Sequence, residues 1–269
     1  MTTNISDRVL APITFSRYRA FHLLERNALV AKRYWVGVVS GFSEPIFYLF
    51  AIGVGIGEII GNVTGPNGVS VEYAAFVAPA LLGASAMNVA VFESTVAVYL
   101  KLTYTKTYDA VVTTPMQPRD IAVGEIAWSL IRSGIYTTSF LLIMWLFGFM
   151  PSQWGWLAVP TALLIGFAFS AVGVAASTFL KSWQDFDMIL LVTLPLFLFS
   201  ATFYPLSVYP GWLQAVARVS PLYHGVELIR SLTLGIFDLS FVGHAIFLVA
   251  MGLIGALISA RRMKKLLLG

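Results

Sequence analysis

Cysteine is absent from the 269 residues, which excludes a disulfide framework and any thiolate metal site. Charge is scarce too. Asp, Glu, Lys and Arg make up 11% of the chain, against about 25% in soluble domains, while apolar types reach 58% and the mean hydropathy is +0.82. Such a composition excludes a soluble globular chain and describes an integral membrane protein. The phosphate-gripping GxxxxGK[ST] loop is missing, because none of the six lysines follows a glycine, so the chain holds no ATP site of that kind. HExxH, GxSxG and Cys/His metal spacings are missing as well, leaving no catalytic set and no metal site to expect. No cleavable signal peptide is visible: the first 33 residues are charged, and the first apolar span is expected to act as its own insertion signal. The net charge of +4 comes from basic flanks and gives no reason to expect nucleic acid.

What is present divides into an all-α membrane protein with six transmembrane helices. Residues 1–33 carry six basic residues and no span. From Ile13 the pattern is helical, with Tyr18, Phe21, Leu24 and Ala28 on one side and Arg19, His22, Arg26 and Arg33 near the other, as in a helix lying in the membrane interface. The transmembrane domain, 34–260, is read as spans at 34–60, 73–100, 121–150, 157–180, 188–204 and 241–260. In the first span Gly53, Gly57 and Gly61 repeat every four residues, as do Gly37 and Gly41, a spacing that lets another helix approach closely or borders a substrate path. Between the third and fourth spans, Trp145, Trp154 and Trp156 mark a membrane interface. Residues 205–240 contain Pro205, Pro210 and Pro221 and split into amphipathic pieces at 211–219 and 222–234. Each is shorter than the roughly 20 residues a span needs, so the expectation is a re-entrant helical pair on the extracytoplasmic side. The chain ends in a basic tail, 261–269.

Charge bias tests this arrangement. With both termini cytoplasmic, the inside segments hold six, three, one and four basic residues, the outside segments only Arg218 and Arg230, and Arg132 lies within a span.

The polar loop 101–120 separates two spans and carries Lys101, Lys106, Asp109 and Arg119. Its stretch from Thr103 to Val112 has enough apolar residues for a short amphipathic helix, ended by Pro115 and Pro118. It is either a solvated connector or an element that docks on a cytoplasmic partner through Thr103, Tyr104, Lys106, Thr107, Tyr108 and Asp109. Within the spans, Glu44, Glu93 and Arg132 fall at similar depths and are able to meet, with Glu125 two turns before Arg132 as a further partner. Ionisable residues at such positions form a structural charge network, contact substrate or relay protons. Near the prolines of the outer segment, Tyr204, Tyr209, Trp212 and Tyr223 are an interfacial belt or a stacking surface on a substrate path. His224 and Glu227, three apart, read as a helix-surface pair beside Arg230, or as the site of a membrane-embedded transferase.

Several runs together resemble ABC-2 (type V) exporter permeases, in particular the nodulation-type lipooligosaccharide branch. They are Glu93-Ser94-Thr95, Lys106-Thr107-Tyr108-Asp109-Ala110, Thr114-Pro115, Pro118-Arg119-Asp120-Ile121, Gly124-Glu125, Glu44-Pro45 and Phe203-Tyr204-Pro205-Leu206. Tyr204 departs from the smaller or phenylalanine side chain expected there. The resemblance implies a half-transporter of the bacterial inner membrane that pairs with a second copy, a coupling helix in the loop 101–120, and a separate ATPase subunit carrying ATP and Mg. It also implies an amphipathic substrate: a lipid-linked oligosaccharide or polysaccharide, or, in a multidrug efflux permease of the same family, a drug. A proton-coupled secondary transporter with Glu44, Glu93 and Arg132 as relay is the more distant alternative.

Overall fold

The computed structural model describes residues 17–33, 43–65 and 68–268; the expectations placed on residues 1–16, 34–42, 66–67 and 269 lie outside them. Nearly all described residues are helical. Helix α1 (Arg17–Arg33) is followed by α2 (Ser43–Tyr48), a π-helical stretch Leu49–Ile56 and α3 (Gly57–Ile60). Gly57 is buried against Tyr73 and Ala74, so it serves close packing. Gly61 instead takes φ +70° with open space around it and ends the helix. A small hairpin, β1 (Asn62–Thr64) paired antiparallel with β2 (Ser70–Glu72), stands where a plain loop was expected.

Helix α4 (Tyr73–Thr103) is 31 residues long, about 46 Å, and is the most enclosed of the four helices that, among the described residues, are long and apolar enough to cross a membrane. The other three are α6 (Pro118–Leu146), α7 (Ala158–Ser177) with the 3₁₀ turn that precedes it, and α11 (Ser240–Leu268). These match the second, third, fourth and last expected spans. Between α4 and α6 lies only the six-residue α5 (Thr107–Val112), because α4 itself runs through Thr103 and Lys106 then adopts φ 46°. The start of α6 is written in Gln117-Pro118: Pro118 takes the first helical turn, and the Asp120 carboxylate accepts the Gln117 N–H at 3.1 Å.

Three shorter helices complete the chain. The 14-residue α8 (Phe186–Phe199), about 21 Å, is shorter than the expected fifth span. The chain turns after it at Ala201, whose φ is 54°. Helices α9 (Gly211–Val219) and α10 (Pro221–Leu234) meet at Ser220, whose hydroxyl bonds that of Ser200 at 2.5 Å. Near the start of α10 Gly225 packs against Ile165 of α7, where a Cβ would stand 2.6 Å away, while at the far end of α10 the Thr233 carbonyl accepts the Ser152 N–H at 3.1 Å. Thus α10 climbs along α7 toward the end of the bundle that carries the hairpin.

Small residues let the long helices touch. A Cβ on Gly173 of α7 would collide with the Ser94 hydroxyl of α4. On α11, a Cβ on Gly255 would meet the α7 backbone at Ala171 and Val172 at 2.8 Å, and Ser259, one turn on, donates to the Ala171 carbonyl at 2.7 Å. The segment 261–268 is not a loose tail. It continues α11, and Arg262 stacks on Phe179 and donates to the Thr178 carbonyl at 3.2 Å.

Candidate functional site

At the end of the bundle opposite the hairpin, α1, the ends of α4 and α6, and α5 converge. The inner face of α1 is formed by Leu23 and Asn27, whereas Phe21 and Ala28, expected on one apolar side, are exposed. A hydrogen atom at Gly124 is what lets Leu23 in, since a Cβ there would stand 3.0–3.1 Å from the leucine side chain. Lys101 Nζ reaches the Glu125 carboxylate at 2.6 Å and Asn27 Oδ1 at 3.2 Å, while Asn27 Nδ2 donates to Glu125 at 3.4 Å. Arg26 Nη2 reaches the Thr107 hydroxyl at 3.4 Å. Glu125 is 1% exposed, so this lysine is what makes its burial tolerable.

Helix α5 hangs from this junction by Tyr108. The side chain is fully buried beside Leu102, Val111 and Ile121, and its hydroxyl faces Glu125; burial first, and then that carboxylate, push the phenol pKa well above its ordinary value. Tyr108 therefore anchors the loop from within and does not stand on its exposed edge, where its place in the polar loop would put it. Exposed on that edge are Thr103, Tyr104, Lys106 and Asp109, with Thr107 half-buried behind them. Tyr104 and the exposed Trp183 also pack against the buried Tyr99, with ring centroids 6.0 and 5.8 Å from it. Across from α5, Asp185 accepts the backbone N–H groups of Lys181 and Ser182 at 2.6 and 3.0 Å, which hold its carboxyl below the usual range.

Two turns further into the bundle, Arg132 Nη2 meets Glu93 at 3.1 Å and donates to the Tyr136 hydroxyl at 3.1 Å. The structure thus divides the intramembrane charges. Arg132 pairs with Glu93, and Glu125 pairs with Lys101 rather than with Arg132. The reason is register: α4 and α6 run antiparallel, so stepping eight residues back from Lys101 to Glu93 matches stepping seven forward from Glu125 to Arg132. The Glu44 side chain is outside the described set.

The four aromatic candidates differ in burial. Tyr204 and Trp212 are exposed, Tyr209 and Tyr223 half-buried, and the ring neighbours of Tyr223 are His224 and His244. Arg230, expected on a helix surface, is instead 1% exposed. Its Nη1 holds Glu227 at 2.7 Å, its Nη2 and Nε donate to the carbonyls of Ala201 at 2.8 Å and Phe76 at 3.3 Å, and its guanidinium lies 3.9 Å over the Phe76 ring. One side chain ties α4, the turn after α8, and α10 together. Its position four residues after Val226 and eight after Leu222 on a buried row was the available signal.

The sequence pattern of the family described as ABC-2 type transporter matches residues 18–234. The chain is 31% identical over 214 residues to Nodulation protein J of Rhizobium leguminosarum bv. trifolii, covering 78% of this chain and 79% of that protein. Nodulation protein J of Rhizobium leguminosarum bv. viciae is 30% identical over 216 residues, with 78% and 80% covered. The inner membrane transport permease YadH of Escherichia coli is 25% identical over 215 residues, again with 78% and 80% covered.

Proposed function

The chain belongs to the ABC-2 type transporter family, in its nodulation-type branch, and from that premise we propose that it is the permease subunit of an exporter for a lipid-linked oligosaccharide or similar amphipath. Membership makes it a multi-pass inner-membrane transport protein whose ATPase is a separate subunit. In the proposed arrangement residues 34–60 and 188–204 supply the spans beyond the four long helices, α9 and α10 form the re-entrant pair, and the α5 end is cytoplasmic. The excess of basic residues at that end supports this orientation.

The observation that carries the reading is the cytoplasmic junction. An exposed edge of Thr103, Tyr104, Lys106 and Asp109 offers a partner hydroxyls, a ring and both charges, and behind it Tyr108 and the Lys101–Glu125–Asn27 set join α5 to three other helices. A push on that edge has no soft loop to absorb it, so it moves α4 and α6 as a unit. We further propose that a second copy covers α8, which has no buried residue although Met188, Leu191 and Val192 are 59–72% exposed. The chain has no cysteine, so Leu191→Cys gives a clean cross-linking test of that dimer.

Inside-out vesicles holding the chain with its ATPase should accumulate a fluorescent glycolipid only with ATP, and a protonophore should leave the rate unchanged. Accumulation that needs no ATP and collapses with the protonophore would assign proton-coupled transport instead. Uptake of an amphipathic cation but no glycolipid would assign drug efflux.

A further inference from the structure

The Nδ1 atoms of His224, on α10, and His244, on α11, stand 2.6 Å apart. Neither residue belongs to the cytoplasmic junction or to the Glu93–Arg132 pair. Two imidazole nitrogens that face each other this closely cannot both keep a hydrogen: they share one proton, or both lone pairs point at a common cation. The rings are held in place. His224 stacks on Phe247 at 4.1 Å, and the Tyr223 ring stands edge-on to both imidazoles at 5.8 Å. Beside them opens a cavity of about 510 Å³, lined in addition by Glu227, Asp238, Ser231, Ser240 and Arg218. Both carboxylates act electrostatically on His244.

We propose that His224 and His244 chelate a borderline dication of the zinc or copper class, with the Glu227 carboxylate, held by Arg230, reached through water. Imidazole is a preferred ligand for these ions. At a metal–nitrogen distance of about 2.0–2.1 Å, two ligands in a tetrahedral site are roughly 3.3–3.4 Å apart, so the rings have to part by less than about 1 Å. Among the described residues no group of three His, Cys, Asp or Glu side chains is placed to hold a metal ion, so the protein contributes the two nitrogens and the remaining positions go to water or a hydroxyl-bearing ligand. Because one ligand lies on each helix, the ion clasps α10 to the start of α11.

The chain, purified without a polyhistidine tag, is dialysed against zinc and its bound metal counted. Wild type should hold about one zinc per chain and melt at higher temperature as zinc is added, with reversal by EDTA. His224→Gln and His244→Gln should each lose the bound zinc and the shift, while His22→Gln, which changes the one other histidine, should keep both. Copper electron paramagnetic resonance on wild type, which needs no variant to fold, should show coupling to two nitrogens. No zinc retained by wild type, undiminished zinc in the two variants, or a copper spectrum without two coupled nitrogens would each overturn the site and leave a shared proton as the bond between these rings.

Discussion

Replacing Arg132 by alanine removes the cation from a carboxylate that is 8% exposed. At 3.1 Å and an effective dielectric constant of about 20, the attraction lost is about 5 kcal/mol before desolvation is returned. Breaking a buried pair from one side typically costs about 3–5 kcal/mol. Proton uptake sets a ceiling, because holding a carboxyl of ordinary pKa near 4.3 neutral at pH 7 costs about 4 kcal/mol. Arg132→Ala should thus destabilise by about 3–4 kcal/mol at pH 7. The sign with pH follows: the ceiling falls by about 1.4 kcal/mol per unit as pH drops, to about 1 kcal/mol at pH 5, so the deficit should shrink in acid. The double variant Glu93→Gln/Arg132→Ala has no carboxylate to strand and should be more stable than Arg132→Ala at pH 7, with a deficit indifferent to pH. Thermal melting in nanodiscs at both pH values measures all of this. Additive losses in the double-mutant cycle, or a deficit that does not narrow at pH 5, would refute the pairing.

Tyr108→Ala empties a buried aromatic site and should cost about 3–5 kcal/mol, seen as lost membrane abundance, whereas Tyr108→Phe keeps the ring and should stay within about 1 kcal/mol. Asp109→Ala, on the exposed edge, should leave melting unchanged while lowering ATP-driven transport per molecule; full transport would remove Asp109 from the docking face. Arg230→Lys keeps the charge but not the three-way fork to Glu227, Ala201 and Phe76, so its melting temperature should fall nearly as far as that of Arg230→Ala. Gly173→Ala should destabilise by about 1–3 kcal/mol through collision with Ser94, and adding Ser94→Gly should restore part of that loss.

The long spans were legible because a bilayer demands long apolar runs, and α4, α6, α7 and α11 carry them openly. The hairpin was readable in principle: in the sequence Val63 and Val71 alternate with polar residues on either side of an Asn-Gly dipeptide, a residue pair that favours turns. Tyr108 and Arg230 were misjudged for one shared reason. Their residue types favour water or an interface, and only the neighbours at helical spacing reveal that each points inward, Arg230 four and eight residues after Val226 and Leu222, Tyr108 three and four before Val111 and Val112. Which carboxylate would take which cation was not decidable from depth alone. Depth along a helix leaves its rotation free, and Glu125 lies on nearly the same face as Arg132.

The order of charges resolves that ambiguity in retrospect and bears on coupling. Going from the α5 end inward, α4 presents a cation at Lys101 and then an anion at Glu93, while α6 presents an anion at Glu125 and then a cation at Arg132. In that register each rung joins opposite charges. A slip of two turns would leave one charge unmatched at each end and set Glu125 against Glu93 or Lys101 against Arg132, with like charges repelling in a low-dielectric setting. Sliding of α4 along α6 is therefore opposed far more strongly than tilting of the two together. Since Tyr108 fastens α5 at the Lys101–Glu125 rung, the proposed coupling at the exposed Lys106–Asp109 edge would act on a pair of helices that resists shear, and rigid tilting is the motion that proposal calls for.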